Sequence, residues 1–224
     1  MEYICRATGI KQIKSRKKFP SAGNVSAKIS PDGQELTLYD EDGSLLTDEE
    51  LFMLSLLVIS RGEKLRTAVL PKGSGKKLEN FAAVCSSKTV FCGDGYSDFV
   101  RTMLKSGDPR QLLMFTDRVY ALARILTYIS FSVETLRGIR LMLPHAFRTV
   151  KSPMPGSADG MEELIRKTAA KYKNYLSGGG GIRIFLGKGC VLIVPDRTGN
   201  GFTVISEGFD EEYSKELCKN PFKF

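Results

Sequence analysis

The stretch of residues 177–208 constrains the fold of this chain most strongly, because its apolar residues follow the period of a strand. Branched apolar residues recur at every second position over 182–186, and a Gly-Lys-Gly turn follows them. A continuous apolar run covers 190–194, and a third strand pattern covers 202–206. Period-two alternation beside a glycine turn is typical of a hairpin. The stretch therefore predicts a hairpin that feeds a half-buried sheet, followed by a helical tail.

A polar loop separates the second and third of these strands. It contains Pro195, Arg197 and Thr198 among glycine and small polar residues. Guanidinium and hydroxyl groups in a glycine-containing loop at a strand end can hold a phosphate. This loop is the first candidate site for an anion.

The hairpin and its loop resemble the C-terminal domain of the α-D-phosphohexomutases, which include phosphoglucomutase and phosphomannomutase. In that family the loop is Arg-Pro-Ser-Gly-Thr-Glu-Pro and clamps the phosphate of a hexose phosphate. This chain keeps Pro195 and Thr198 but has Val194 at the place of the first arginine. The resemblance implies a phosphate site of Arg197, Thr198 and Arg183, with Arg197 substituting from a shifted position.

A second match lies near the start of the chain. Strand patterns cover 24–29 and Leu36–Tyr39, and an Asp-Glu-Asp-Gly turn follows. Thr47 and Glu50 then form a capping box before a predicted helix over Asp48–Ser60. The order strand, acidic loop, strand, turn and capped helix is similar to that of the phosphohexomutases.

The loop between these two strands, residues 30–35, corresponds to the family's Asp-x-Asp-x-Asp-Arg loop, which holds the catalytic magnesium. Asp32 is the only carboxylate at a ligand position here, since Ser30 and Gln34 occupy the other two. Magnesium prefers charged oxygen ligands and loses its water reluctantly. We therefore expect Asp32 to be a degenerate metal position without an ion, and the chain to have no cofactor, although an intact family member would use magnesium. A simple Pro-Asp-Gly turn is the alternative explanation.

The middle of the chain alternates strand and helix patterns, with strands at 67–70 and 88–92 and helices at 77–85 and from about Ser97. This βαβ order predicts parallel pairing. The glycine-rich segment 72–77 lacks the spacing of a P-loop, which excludes ATP binding there. The loop at Gly93 to Gly95 precedes a helix, but its aspartates disfavour an anion.

Two more helices are predicted, one over 117–131 capped by Thr116 and one that ends at Arg140 and is capped by Ser132. Segment 107–110 is predicted to be a loop, at the point where the family has a Gly-Glu-x-Ser-Gly sugar loop that this chain lacks. The segment 151–156, rich in proline, predicts a linker between domains.

The expected fold is an α/β domain with a mixed, partly parallel sheet, followed by a small α+β domain with an antiparallel sheet. The resemblance covers residues 24–218. It implies a remnant of a preceding domain at 1–45, a third-domain-like region at 46–152 and a C-terminal-domain-like region at 153–224. The family's first domain, with its phosphoserine loop, has no counterpart in this sequence.

The composition of the chain limits which binding partners and which cellular compartment are expected. The net charge is +8, and the densest basic cluster is Lys11, Lys14, Arg16, Lys17 and Lys18. This cluster has no interleaved aromatic residue, and no nucleic-acid-binding motif accompanies it. These observations favour a basic segment exposed to solvent over a segment that binds nucleic acid or attracts an anionic substrate.

The five cysteines are scattered and odd in number, which favours free thiols and a cytoplasmic location. The longest apolar run, 51–59, is too short to cross a membrane. The sequence has one histidine, His145, which is predicted to be structural or exposed and not catalytic.

A mutase needs a phosphorylated serine, a metal and a phosphate clamp. We therefore expect a degenerate phosphohexomutase-like module without catalytic residues of its own, which binds a sugar phosphate or regulates a protein of a sugar-nucleotide pathway. Its expected partners are a sugar phosphate and an upstream or separate catalytic domain. The alternatives are the C-terminal portion of an active mutase or of a mannose-1-phosphate guanylyltransferase fusion, and a basic nucleic-acid-binding protein.

Overall fold

A computed structural model describes residues 20, 23–93, 95–144, 148–155, 160–173, 175–178, 181–186, 189–195, 201–208 and 210–221. The basic cluster near the start of the chain, Cys5 and His145 lie outside these residues. The chain forms two compact units. The first contains the described residues up to Val69, Phe81–Val90 and Val100–Leu143, and the second contains Leu70–Asn80, Phe91–Phe99 and the described residues from Pro144 onward.

The first unit opens with an antiparallel hairpin of β1 (Ser26–Ile29) and β2 (Leu36–Tyr39). The helix α1 (Asp48–Ser60) follows and begins at a capping box. The Glu50 N–H donates to the Thr47 hydroxyl at 3.2 Å, and the Thr47 N–H donates to the Glu50 carboxylate at 2.7 Å. The two predicted strands and the predicted capping box are thus confirmed. Because α1 is apolar on most sides, most of it is buried.

The next elements alternate strand and helix as predicted. They are β3 (Ala68–Pro71), α2 (Lys76–Cys85), β4 (Thr89–Cys92) and α3 (Tyr96–Ser106). The Ala68 N–H donates to the Lys88 carbonyl at 2.8 Å, and the Lys72 N–H donates to the Cys92 carbonyl at 3.0 Å. Between these two bonds the residue numbers rise by the same amount and in the same direction on both strands, as they do in a parallel pair. The expected parallel βαβ unit is confirmed.

Three helices complete the first unit, and the start of each differs from the prediction. They are α4 (Pro109–Thr116), α5 (Arg118–Ser130) and α6 (Leu136–Met142). The loop prediction for 107–110 is wrong, because Asp108 caps α4 and Pro109 is its first residue, a favourable position for proline. Asp117, and not Thr116, caps α5, since the Thr116 hydroxyl donates to Leu112 within α4 at 2.9 Å. Thr135, and not Ser132, caps α6.

The side chain of Gln111 on α4 closes an open edge of the parallel sheet. Its amide oxygen accepts from the Val69 N–H, and its amide nitrogen donates to the Val69 carbonyl, both at 2.9 Å. A buried strand edge needs such partners, because an unpaired buried peptide group is costly. Gln111 is fully buried, so the helix and the strand are held together by a pair of hydrogen bonds that water does not reach.

The second unit is built on a five-stranded antiparallel sheet. Its strands are β5 (Arg148–Pro155), β6 (Tyr175–Gly178), β7 (Gly181–Leu186), β8 (Gly189–Pro195) and β9 (Gly201–Gly208), and its helices are α7 (Gly160–Lys171) and α8 (Glu211–Lys219). The strand order is β5-β9-β8-β7-β6. One face of the sheet carries the apolar core with α8, made of Ile182, Ile184, Val191, Ile193, Phe202, Val204, Leu217 and Cys218. The predicted hairpin, third strand and terminal helix are confirmed, and so is the expected order of an α/β region followed by an antiparallel α+β region.

The predicted linker is a strand. Residues 151–155 lie in β5, where Lys151 stands opposite Ile205 of β9. Pro153 and Pro155 are tolerated because β5 is at the edge of the sheet, where a missing N–H costs no ladder hydrogen bond. The domain limits drawn from the resemblance stay a prediction. Within the part of the chain described above, none of the helices has the length and apolar character needed to cross a bilayer.

A buried ion cluster ties α6 to the turn after β2 and to the start of α1. The Arg140 guanidinium donates to the Asp40 carboxylate at 2.9 Å and to the Glu50 carboxylate at 2.8 Å. Both carboxylates are almost fully buried. Burial raises the pKa of each carboxyl, but the hydrogen bonds from Arg140 and from nearby N–H groups outweigh it, so both pKa values lie below the ordinary ones.

Replacing Arg140 tests this cluster. We expect Arg140→Ala to lower the free energy of unfolding by about 3–5 kcal/mol, because it leaves two buried carboxylates without their cation. Arg137→Ala is the matched control on the same helix, since the Arg137 and Asp42 side chains are half exposed and their pair, at 2.9 Å, should contribute below about 1 kcal/mol. Urea unfolding at neutral pH measures both values. Equal losses in the two variants would contradict the assignment.

The same comparison has a pH dependence with a defined sign. Since the folded pKa values of Asp40 and Glu50 lie below the ordinary 3.8 and 4.5, their stabilisation is complete above those values and is lost as the pH falls through the lower folded ones. The difference between wild type and Arg140→Ala should therefore shrink below about pH 4. A difference that stays constant well below that pH would show that the carboxylates do not carry the effect.

Candidate functional site

The predicted phosphate loop joins β8 to β9 in the second unit. Pro195, the last residue of β8, pairs with Phe202 of β9, so the ends of the two strands stand side by side. Arg197 and Thr198 lie outside the described residues. Their assignment to a phosphate site stays a prediction.

Arg183, the third predicted phosphate ligand, lies on β7 and is buried, with 2% of its side chain exposed. Its guanidinium donates to the Lys72 carbonyl at 3.4 Å and lies 4.0 Å from the Glu79 carboxylate. It also lies over the Phe185 ring at 4.8 Å from the centroid. Each of these partners belongs to the second unit. Arg183 is thus engaged by internal groups on the face of the sheet opposite the apolar core.

The predicted metal position lies in the exposed loop between β1 and β2. The Asp32 carboxylate accepts from the Ser30 hydroxyl and from the Gln34 N–H, and these hydrogen bonds lower the pKa of Asp32. The Ser30 hydroxyl also accepts from the Glu35 N–H at 2.9 Å. A closed turn results, in which the Ser30 and Asp32 side chains bond to each other and Gln34 contributes its backbone N–H.

This donor set is a poor match to magnesium. One carboxylate and two neutral side chains supply less charge than a hard divalent cation requires in a protein site. Across the described residues, no three histidine, cysteine, aspartate or glutamate side chains come together in a group of the kind that binds metals.

The start of α2 binds a carboxylate of the protein itself. Glu207 of β9 is buried and accepts from the backbone N–H groups of Lys76 and Lys77, the latter at 3.1 Å. The end of a parallel strand and the start of the following helix form the place where α/β proteins often bind anionic ligands, because free N–H groups and the helix dipole converge there. In this chain the glycine-rich segment 72–77 forms that junction and Glu207 occupies it.

Gly75 makes room for Glu207. A Cβ atom at Gly75 would lie 2.4 Å from both carboxylate oxygens, a distance at which the carboxylate would have to move. The Glu207 carboxylate also accepts from the Cys190 thiol at 3.5 Å, and burial raises the pKa of that thiol. Cys190 is therefore a hydrogen-bond donor to Glu207 and not a reactive thiolate.

The second strand-to-helix junction also holds an internal carboxylate. Asp98, in the first turn of α3, reaches back to Gly93, where a Cβ atom would lie 2.4 Å from its Oδ2. The sequence predicted that aspartate would disfavour an anion in this loop. Both junctions that follow the parallel strands are thus occupied by carboxylates of the chain.

Comparisons with solved structures identify the fold. A phosphoglucomutase/phosphomannomutase family protein from Burkholderia thailandensis is similar at a TM-score of 0.67 and 16% identity, over 86% of this chain and 44% of that one. N-acetylphosphoglucosamine mutase from Aspergillus fumigatus, in complex with GlcNAc-6P and magnesium, is similar at a TM-score of 0.57 and 13% identity, over 92% and 49%. A phosphomannomutase-type protein from Thermus thermophilus gives 0.60 and 12%, over 91% and 46%.

The chain has the phosphohexomutase fold. It spans less than half the length of these three structures, in agreement with the predicted resemblance to the C-terminal half of the family. No protein-family model matches the sequence, and no curated protein does. At such low identity the likeness defines the phosphohexomutase architecture and leaves the chemistry to the residues of this chain.

Glu207 is the functional residue that the sequence analysis missed. The predicted strand ends at Ser206, two residues before the observed end of β9 at Gly208, so the prediction left Glu207 outside the strand. The alternation of residues along the strands could have indicated this role, because it places Glu207 on the same face of the sheet as Cys190 and Arg183. A charge on a strand next to apolar positions indicates a buried partner, here the N–H groups of α2 within the phosphohexomutase fold.

Substitution of Gly75 tests whether this junction depends on Glu207. The carbonyl groups of Gly75 and Gly95 each accept the first hydrogen bond of a helix. Replacing glycine by alanine should therefore have the same intrinsic cost in free energy of unfolding at both positions. A Cβ at Gly95 would meet nothing closer than 3.7 Å. We expect Gly75→Ala to destabilise the protein by about 1–2 kcal/mol more than Gly95→Ala does, since only the former displaces the carboxylate.

A double-mutant cycle isolates the cause. In a Glu207→Ala background the excess cost of Gly75→Ala should disappear, because no carboxylate remains to be displaced. Urea unfolding of the single and double variants measures the coupling. Additive losses would mean that Gly75 is needed for a reason other than Glu207.

Proposed function

We propose that this chain is a degenerate phosphohexomutase-like module that binds a sugar phosphate, or regulates a protein of a sugar-nucleotide pathway, and does not catalyse mutase chemistry by itself. The single observation that carries the proposal is the phosphohexomutase fold, in which both strand-to-helix junctions hold carboxylates of the chain. A fixed internal carboxylate repels a phosphate at the same place, so binding should depend on the loop between β8 and β9.

The loop after β1 supports the absence of catalysis. Transfer of a phosphoryl group relies on charge stabilisation by a metal ion and on a group that carries the phosphoryl. Asp32 is the only carboxylate at a ligand position of its loop, and it accepts hydrogen bonds from the Ser30 hydroxyl and the Gln34 N–H. We therefore expect no magnesium site here, whereas the Aspergillus mutase was crystallised with the ion.

A catalytic partner is the second part of the proposal. The chain spans less than half of the mutase structures that it resembles, so activity in a larger protein or complex would require an upstream or separate domain. The alternatives are the C-terminal portion of an active phosphoglucomutase or phosphomannomutase, and a region fused to a mannose-1-phosphate guanylyltransferase. A module of either kind would keep the sugar-phosphate loop and leave the phosphoryl chemistry to its partner.

We place the module in the cytoplasm. Cys85, Cys92, Cys190 and Cys218 are buried, and none of them forms a disulfide within the described residues. An oxidising compartment favours disulfides, so buried cysteines without disulfides support a reducing one. This fits the soluble sugar phosphates that the module is proposed to bind.

Calorimetric titration with hexose phosphates tests the binding proposal. We expect saturable binding of a hexose or N-acetylhexosamine phosphate, weakened about tenfold or more by Arg197→Ala, because a charge-assisted hydrogen bond to the phosphate is lost. Arg166→Ala is the matched control, since Arg166 is an exposed arginine of the same unit, and it should change the affinity less than about twofold.

Two outcomes separate the parts of this proposal. Absence of binding to every sugar phosphate tested would contradict a sugar-phosphate module. Binding that is unchanged in Arg197→Ala would keep the module and reject the predicted loop. Arg183 is unsuited to this test, because its buried guanidinium contacts Lys72, Glu79 and Phe185 and its removal would perturb the fold.

A further inference from the structure

A cavity of about 320 Å³ lies in the first unit, away from every residue discussed so far as a site. Its walls come from the last turn of α1 and from the second half of α5. They are formed by Val58, Arg61, Arg124, Thr127, Tyr128 and Phe131. A volume of this size lies at the lower end of the range of small-ligand pockets.

The α5 side of the cavity is one helix face. Arg124, Thr127, Tyr128 and Phe131 are spaced by three, one and three residues, which brings their side chains to the same side of a helix. The Thr127 hydroxyl donates to the Ala123 carbonyl at 2.9 Å and so keeps its lone pairs available as acceptors. The face therefore combines a cation, an acceptor and two aromatic rings.

The two guanidinium groups are held at the cavity without anionic partners. Arg61 lies over the Tyr128 ring, with 4.8 Å from its Cζ to the ring centroid, and this contact fixes its position. Neither Arg61 nor Arg124 forms an ion pair with any carboxylate in the described part of the chain. Two neighbouring guanidinium groups that form no ion pair in the described part of the chain are favourable partners for a bound anion.

Compensation of helix dipoles does not account for both arginines. Arg61 is the C-cap of α1, where a cation is favourable, but Arg124 lies six residues before the end of α5. Each helix end contributes a partial negative charge of about half an elementary charge, and two full positive charges outweigh two such ends. The cavity thus attracts an anion.

The aromatic rings restrict the class of that anion. Phe131 is the C-cap of α5 and leaves 70% of its surface in water, while Tyr128 is half-buried beneath the guanidinium of Arg61. An exposed phenyl ring and a fixed tyrosine ring offer stacking surfaces to a planar base, and stacking of this kind is a large part of base recognition. An inorganic phosphate would use the arginines and leave the rings unused.

We propose that this cavity binds a mononucleotide, with the phosphate on Arg61 and Arg124 and the base stacked on Tyr128 and Phe131. The cavity volume accommodates one nucleotide and not a strand of several. The site goes beyond the proposed sugar-phosphate function and uses none of its residues.

A fluorescent adenosine monophosphate carrying an N-methylanthraniloyl group tests the proposal, since the chain has no tryptophan to interfere. With the full chain, anisotropy should rise to saturation with a dissociation constant below about 1 mM. Unlabelled adenosine monophosphate should compete, whereas adenosine alone and inorganic phosphate alone should each compete at least about tenfold less well.

Variants with matched controls locate the site. Arg124→Gln and Phe131→Ala should each weaken binding about tenfold. Lys105→Gln and Leu104→Ala are their controls on α3, and Leu104 is as exposed as Phe131, at 70%. Both controls, and Arg197→Ala in the second unit, should leave the affinity within about twofold. Circular dichroism confirms that each variant is folded.

Several results would overturn the assignment. They are absence of saturable binding, unchanged affinity in the folded Arg124→Gln variant, or phosphate competing as well as the nucleotide. Binding of a single-stranded oligonucleotide without binding of the mononucleotide would also overturn it, in favour of a nucleic-acid surface. Loss of nucleotide binding in Arg197→Ala would place the nucleotide in the sugar-phosphate site.

Discussion

The carboxylate of Glu207 at the start of α2 is the interaction on which the second unit depends. It satisfies two helix N–H groups, it requires a glycine at position 75, and it receives the thiol of Cys190. Its negative charge lies where a strand-to-helix junction would otherwise favour a ligand anion. The same carboxylate therefore stabilises the fold and disfavours a phosphate at this junction.

Local signals predicted most of the fold. The capping box of Thr47 and Glu50, the glycine turn of the β7–β8 hairpin and the alternation of β3, α2 and β4 each depend on residues close in sequence. The wrong predictions of secondary structure also have local causes. An Asp-Pro pair that starts α4 was assigned to a loop, and prolines on an edge strand were assigned to a linker.

The contacts that decide the chemistry connect distant residues, which is why the sequence did not reveal them. Glu207 reaches the backbone 131 residues away, and Arg140 reaches Asp40 across 100 residues. Arg183 was assigned to phosphate from the resemblance, but its burial among internal partners follows only from how β7 packs. Likeness to the phosphohexomutases at low identity indicates the fold, and it could not indicate that a carboxylate of this chain would lie at the start of α2.

A coupled assay for interconversion of hexose 1-phosphates and 6-phosphates by the purified chain, with magnesium and a hexose bisphosphate activator, tests the central claim most directly. We predict no turnover beyond that of an Arg197→Ala sample purified in the same way, which measures contaminating mutase. The reason is that Asp32 is the only carboxylate at a ligand position of the 30–35 loop, and that we expect no phosphoserine loop in this sequence. Turnover by the wild type that exceeds the variant and requires magnesium would contradict the account.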